Sequence, residues 1–567
     1  MFLGEWCKLY GQKHVWSKMD YETLPYHWDD RAKLYKDSRY LDRVYERFLP
    51  ALAGQLNEIH QVGRSTDGWR IIIGPWIYYF ISVLYDRYLS ICNAIDSGKV
   101  TQTWVPQLKE SEYAPRDFTE FEKCIASDEY NQILYGRLIE ALGGISFVTR
   151  EYDHALGLGS KPASSHNPIK RAVRKTLDFY GRLIPSCWNG VVMVMTYLKP
   201  WDLVRLQSSL GQLPYPCSPE ITVPDCILDL ETRKKLRLPQ GENRFEELLA
   251  KFIGLEIPVA YLEGYSKVYE HSKAAYPRFP KAIFTANGFL FNEGFKFWVA
   301  DQIERGVPIV ATQHGGHYGT GLWSANETHE IKVSSRYFTW GWGREGQSKV
   351  VPVVSGQLSC IKRKVKPNPK GQILWMDMSP PRYSYWMYSC PAGPQALDFI
   401  TDQQRFWNAL SNEARELLLL RLHPAERGWN MKKRWKDFSP SLTTCDSSLA
   451  MAQQMSQSRL CIGTYNATTY LESFTTNIPT LIFWNREHWE LRPEARPYFE
   501  ELSLAGIYYH NPESAAAKVN EIYRDPVSWW EDPGVQNAKN NFCDRFAKTK
   551  KDWIRILKDE LLKVKKG

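Results

Sequence analysis

The chemistry-bearing residues of this chain cluster in four stretches. The first is LLLLRLHPAERGW, residues 417–429. An apolar run delivers Arg421 and His423 to the end of a strand, and Pro424 turns the chain there. A histidine at such a rim can donate to a phosphate or protonate a leaving phosphate oxygen. The second is CIGTYNATTYLESFTTNIPTLIFW, residues 461–484. Gly463, Thr464, Asn466, Thr468 and Thr469 precede or open an apolar helix. Hydroxyls and free N–H groups at a helix start attract anions, and the same residues are also ordinary helix caps. Glu472 lies in that helix and is a further candidate binding residue.

The third stretch spans residues 285–330. It places Asn287 and the run Gln313-His314-Gly315-Gly316-His317 at two strand ends, where paired glycines permit close approach of a ligand. Glu293 and Lys296 open the helix between those strands. Glu293 reads either as a carboxylate base or nucleophile or as a solvated first-turn charge. His314, His317, Glu327, His329 and Glu330 follow no zinc spacing, so no metal site is assigned. The fourth stretch is LPYHWDDRAKLYKD, residues 24–37, where Asp30 is either catalytic or part of a salt-bridged helix start. Arg70 is expected to bury against the acidic pair Asp29 and Asp30.

These residues need elements to carry them. Helices are expected around Leu41–Ile59, Ile71–Tyr88, Glu120–Gly143 and Phe291–Arg305, from apolar spacing. Val191–Leu198 reads as a buried parallel strand, and Ala282–Thr285 and Pro308–Thr312 as two more. A second series follows with strands near Ile373–Met376, Leu417–Leu422, Leu460–Ile462 and Thr480–Phe483, and a helix over Phe399–Ala409. Between the series lies the basic, Pro-containing KRKVKPNPKG. The predicted division is an α/β domain over 1–345, a linker at 346–371, a second α/β domain over 372–540 and a basic helix over 541–567. Two doubly wound Rossmann-type domains facing a cleft form the GT-B layout, in which ligands bind beyond the carboxyl ends of the strands. Neither a GxGxxG fingerprint nor a GxxxxGK[ST] loop is present, so NAD and P-loop readings are weak.

Composition narrows the class. The 567 residues are 43% hydrophobic and 24% charged, enough apolar material to exclude wholesale disorder. A net charge of +9 at this length does not mark a nucleic-acid binder. Eleven scattered cysteines with no CxxC pair fit reduced thiols, and no signal peptide is read at the start, so a cytoplasmic protein is expected. The high Trp and Tyr content suits either sugar stacking or core filling. In the tail, Trp553, Leu557, Leu561 and Val564 share a helical face. With nine Lys/Arg against four Asp/Glu from Asp544 onward, that helix either packs across the domains or rests on anionic lipid at the inner face of the membrane.

LGEWCKLY, LPYHWDDR, WRIIIGPW, QHGGHYG, TWGW, the HP pair and NATTYLES–NIPTLIFW together resemble the bacterial surface-polysaccharide transferases of the O-antigen type linked to nonulosonic-acid gene clusters. The resemblance covers nearly the whole chain. It implies a strand at LGEWC preceded by further residues. Here LGEWC stands almost at Met1, so the first strand is expected to be missing or differently made. More distantly, the HP motif and hydroxyl-rich helix start resemble bacterial sialyltransferases and capsular Kdo transferases. That likeness implies a CMP-sugar donor whose phosphate meets His423 and Thr468 or Thr469. It further implies a glycan or lipid-linked glycan acceptor and no cofactor. The acidic D/E-D/E-G motif of the sialyltransferases is not evident, which leaves Glu293 and Asp30 as candidate bases and the anomeric outcome open. Rival readings are a UDP- or GDP-sugar transferase, a metal-dependent hydrolase built on the His314 cluster, and a non-catalytic glycan-binding scaffold.

Overall fold

The computed structural model describes the chain except residues 108–113, 152–175, 177–179, 181–183, 185–187, 189, 216–218, 220, 387, 446–448 and 567. It opens with irregular structure in which Glu5–Cys7 form a 3-10 turn, so LGEWC is not a strand. Two long helices follow, α1 (Arg31–His60) and α2 (Thr66–Asp96), packed on one another. Helix α1 runs through Pro50 without restarting. Its apolar stripe, including Leu41, Phe48, Leu52 and Leu56, is buried, as the helical spacing requires. Helix α2 is apolar around most of its circumference and is buried accordingly. Arg70 pairs with Glu46 across this hairpin, at 2.9 Å on both guanidinium nitrogens, and not with Asp29 or Asp30.

Strands β1 (Gln102–Gln107) and β2 (Ser146–Glu151) form a separate parallel pair. The predicted helix over 120–143 divides into Phe118–Ile125 and Asp128–Leu142, because Ser127 caps the second piece through Tyr130 N.

The first large sheet is parallel and holds β3 (Val191–Val194), β4 (Ala282–Thr285), β5 (Ile309–Thr312), β6 (Arg336–Thr339) and β7 (Val350–Pro352). The strands lie side by side in sequence order. Between them come α3 (Pro200–Ser209), α4 (Glu293–Glu304) and α5 (Ala325–Val333). Both faces are buried, and alternate residues serve different cores. Val192, Val194, Ile283 and Ile309 join the core that includes α1 and α2. Val191, Met193, Ala282, Phe284 and Phe338 join a second core. After β3 the strand expected to reach Leu198 stops early, because Met195 and Tyr197 have left-handed backbone, φ 48° and 60°.

Helix α6 (Gly356–Lys364) follows β7. Both lie within the basic stretch read as a linker, and β7 is the edge of the first sheet. The second sheet then begins with β8 (Gln372–Met376) and continues, after α7 (Ala396–Ala409), with β9 (Leu418–Arg421), β10 (Thr444–Cys445) and β11 (Ser458–Gly463). Helix α8 (Thr468–Thr475) leads to β12 (Thr480–Phe483) and β13 (Tyr508–Tyr509). All pairs are parallel, in the order β10-β9-β8-β11-β12-β13. The order reverses between β8 and β11, which makes the carboxyl ends of those two strands the topological switch point.

The expected C-terminal helical stretch is two helices, α9 (Pro533–Phe546) and α10 (Trp553–Lys566). Trp553, Leu557 and Leu561 of α10 close the second core, on the first sheet. The stripe considered for lipid is therefore used in packing. The outer charges partly neutralise one another: Arg555 pairs with Asp552 and Asp559, and Lys563 with Glu560. No helix among the described residues is long and apolar enough to cross a membrane.

The fold is thus GT-B-like, two Rossmann-type α/β halves whose strand ends face each other. Gly316 N donates to Thr468 Oγ1 at 3.1 Å, and Asn466 Nδ2 to Thr320 Oγ1 at 3.1 Å. A Cβ on Gly316 would stand 2.3 Å from the Ala467 carbonyl oxygen, so only glycine permits this approach. Around this contact Arg492 donates to Glu327 at 2.9 Å, and Arg31 holds both oxygens of Glu490 at 2.8 Å.

Candidate active site

At the second sheet, Asp377, Ser379, Leu422, His423 and Cys445 line a cavity of about 350 Å³ beyond the ends of β8, β9 and β10. That volume lies within the range of small-molecule sites. The His423 Nδ1 accepts the Ala425 N–H at 3.1 Å. Nδ1 also lies 3.3 Å from Ala425 O, and with the Ala425 N–H accepted at Nδ1 the neutral ring carries its proton on Nε2. Burial, helped by Arg427, pushes the imidazole below its ordinary pKa, so it is neutral at pH 7. Glu426 is not a ligand group. Its carboxylate receives the amides of Gly428, Asn430 and Met431 and shapes the loop beyond the His-Pro pair.

Asp377 follows β8 at the switch point and was not singled out in the sequence. It accepts from Met378 N at 2.8 Å and Trp435 Nε1 at 3.3 Å, and burial pushes its carboxyl up to about 7. Glu472 on α8 is likewise pushed up to about 7 by burial, with Arg421 opposing. The Tyr465 phenol lies within the electrostatic reach of Asp377, Glu472 and Arg421. Arg421 itself donates to Leu449 O and to Gln454.

The remaining candidates of this half have structural partners. Thr464 Oγ1 donates to Met376 O at 2.7 Å, tying β11 to β8. Asn466 accepts from Tyr470 Oη and bonds Thr320. Gly463 has Ile482 and Tyr470 side chains at 3.0 and 3.2 Å from where a Cβ would stand. Thr468 meets the other half through Gly316. Thr469 is half-buried, with its hydroxyl covered beside Tyr465.

At the first sheet the rim is held by its own polar groups. Gln313 is fully engaged, accepting from Trp340 N and Trp342 Nε1 and donating to Gly315 O. His314 Nε2 lies 2.9 Å from Glu330 Oε1. The Tyr318 and Tyr337 hydroxyls each donate to the same carboxylate at 3.1 Å. The Tyr197 ring stacks on His314 with planes 4° apart, and its hydroxyl accepts from Asn287 Nδ2 at 2.8 Å. His317 stacks on Tyr388 at 4.6 Å, Tyr388 on Trp386, and the Arg427 guanidinium lies over Trp386. These rings form a row from the Gly-Gly loop to the His-Pro loop. Burial pushes His317 down to about 3, so it stays neutral.

The two expected bases are engaged elsewhere. Glu293 is buried and receives Lys296 Nζ at 2.7 Å, Tyr261 Oη at 3.0 Å and Phe118 N at 3.2 Å. Asp30 caps α1 by accepting Lys33 N at 3.0 Å. The acids and histidines considered for a metal have different partners. Glu327 is held by Arg344, Arg492 and Gly319 N, while Glu330 is held with His314. Among the described residues no group of three such ligands converges.

A family model described as LIC12162 family transferase matches residues 1–561. The chain belongs to this family. No curated protein matches it in sequence. Among solved structures it is similar to MurG of Acinetobacter baumannii, at 12% identity over 66% of this chain and 99% of that one, TM-score 0.33. A variant of the wall teichoic acid polymerase TagF is 11% identical over 70% of this chain and 96% of that one, TM-score 0.32. WaaG, a glycosyltransferase of lipopolysaccharide biosynthesis, is 11% identical over 66% and 99%, TM-score 0.27. Likeness this loose assigns neither donor nor acceptor to this transferase.

Proposed function

We propose that this transferase is a glycosyltransferase that moves a nonulosonic-type sugar, of the Kdo, sialic or pseudaminic kind, from its CMP ester to a bacterial surface glycan. In this reading the half over 372–540 binds the nucleotide and the half over 1–345 the acceptor. Residues 346–371 join them, and α10 in the stretch 541–567 returns to the first half. The observation that carries it is the cavity beyond β8 and β9, lined by His423, which protonated at Nε2 offers a donor there. A departing phosphate develops negative charge, which such a donor stabilises. Arg427 beside His423 adds a cation, and Thr468 and Thr469 sit at the start of α8, whose amides favour an anion. Asp377 and Glu472, both raised to about 7, supply hydrogen-bonding carboxyls for the nucleoside.

The test is thermal shift with CMP, UDP and GDP on wild type and His423→Ala. A ligand at 100 times its Kd stabilises by about 2.7 kcal/mol. Stabilisation by CMP alone, lost in the variant, supports the reading. A shift with UDP or GDP alone replaces the donor class. No shift with any nucleotide removes the transfer mechanism.

A further inference from the structure

The transfer reading lacks a base, and the two carboxylates expected to supply one are a capped helix end and a buried ion pair. We propose that His314, oriented by Glu330, takes the proton from the acceptor hydroxyl, and that the transfer inverts the anomeric centre. The inference rests on the function proposed above.

His314 stands at the carboxyl end of β5, on the rim that faces the second half. Glu330 is fully buried, and the His314 side chain is 15% exposed. Both carboxylate oxygens of Glu330 are occupied: Oε1 by His314 and Tyr318, Oε2 by Tyr337. A carboxylate held from two further sides cannot swing away from the ring. It accepts the Nε2 proton and fixes the neutral tautomer, which leaves the lone pair on Nδ1. Among the described residues Nδ1 has no hydrogen-bond partner, and it is not one of the buried unpartnered atoms.

The ring face is fixed as well. Tyr197 lies parallel to it, with centroids 5.5 Å apart, and Asn287 anchors the tyrosine hydroxyl. Tyr197 and Met195 both have left-handed φ, an unfavourable backbone for bulky residues. The strain places the aromatic ring over His314. His317, the other histidine of the loop, is a poor base, because burial pushes it down to about 3.

His314 is two residues from Gly316, at most about 7 Å of chain. Gly316 N is 3.1 Å from Thr468 Oγ1 at the start of α8. The loop that carries the imidazole therefore touches the start of α8 on the opposite half, the side that the proposed function gives to the leaving group. In the step, Nδ1 takes the acceptor proton as the acceptor oxygen bonds to the anomeric carbon. The bond from that carbon to the CMP phosphate oxygen breaks, and its electron pair leaves on the phosphate, beside His423 Nε2–H. Attack and departure on opposite faces give one displacement and inversion. Glu330 is a positioning residue that also stabilises the imidazolium formed.

The test uses the full chain with CMP-N-acetylneuraminate and CMP-Kdo as donors, water and methyl β-lactoside as acceptors, and CMP release as readout. His314→Gln should lower turnover by about 10²- to 10⁴-fold, the usual range for losing a general base, while CMP affinity stays at the wild-type value. Glu330→Gln should lower kcat with donor KM unchanged. Proton NMR of the wild-type product should show inversion, a measurement that stands even if a variant fails to fold. His314→Gln turning over at the wild-type rate, or a retained anomer, overturns the base assignment and leaves the donor reading in place. Wild type that neither binds CMP nor releases it from either donor overturns both.

Discussion

The two facing rims treat their buried polar groups in opposite ways. Around the second sheet, Asp377 and Glu472 are carboxyls raised to about 7 by burial, with few or no protein donors to compensate. Around the first sheet, Glu327 and Glu330 are buried yet supplied with donors from arginine, amide, histidine and tyrosine. Asp377 lines the cavity, where a ligand could complete its hydrogen bonds. The donors around Glu330 hold it in place beside His314. On the proposed function, the second rim would bind the donor and the first would aim the base.

Breaking the first rim's network should have the largest effect. Glu327→Gln leaves the guanidinium of Arg492 without its carboxylate at the contact between the halves. Removing one partner of a buried ion pair costs about 3–5 kcal/mol, and the partial exposure of Arg344 places the expectation near the lower value. Urea unfolding measures it. A loss under about 1 kcal/mol would show that this rim is not held as described.

The second rim should respond in the opposite direction. Its carboxyls have folded pKa values raised from the ordinary 3.8 and 4.5 to about 7. Their neutral forms are tolerated below pH 4. As pH rises toward 7 the unfolded chain ionises freely while the folded one resists, so stability falls through that window. Asp377→Asn should remove part of the slope, making the variant more stable than wild type at pH 8 and near-equal at pH 4, by roughly 1–3 kcal/mol at pH 8. The same variant should bind CMP more weakly. Unfolding at both pH values checks the first statement, and calorimetric titration the second.

A smaller effect separates positioning from packing at the first rim. Tyr197→Phe keeps the ring over His314 but removes the hydroxyl that Asn287 donates to. One hydrogen bond is worth about 1 kcal/mol, so a modest loss of stability is expected, with turnover reduced only a few-fold. A Tyr197→Ala variant, which removes the ring, should lower turnover further at unchanged CMP affinity.

Much of the second rim was legible because its signals are contiguous. The apolar run before His423 and the Gly463–Thr469 stretch each state strand, turn and helix in one window, and the structure puts strands at Leu418–Arg421 and Ser458–Gly463. What the window concealed was how many of those polar residues bond within the protein, as Thr464 does to Met376. The first rim was harder to read. The His314–Glu330 pair joins a loop to a helix sixteen residues on, and the tyrosines that hold it come from a loop and a strand. Glu293 misled because an acid at a helix start looks solvated until Tyr261 and Phe118 close over it. Arg70 and Glu46 met only because two helices form a hairpin. Helix α6 within 346–371 was hidden in the sequence, because Lys362, Arg363 and Lys364 follow directly on the buried Leu358 and Cys360.

The most direct test is calorimetric titration of CMP into wild type, His423→Ala and His314→Gln. A hydrogen bond to a charged group contributes about 1.5–3 kcal/mol, so His423→Ala should weaken CMP roughly tenfold or more, while His314→Gln binds it as wild type does. Equal weakening by both variants, or loss only in His314→Gln, would contradict the assignment of binding to one rim and aiming to the other.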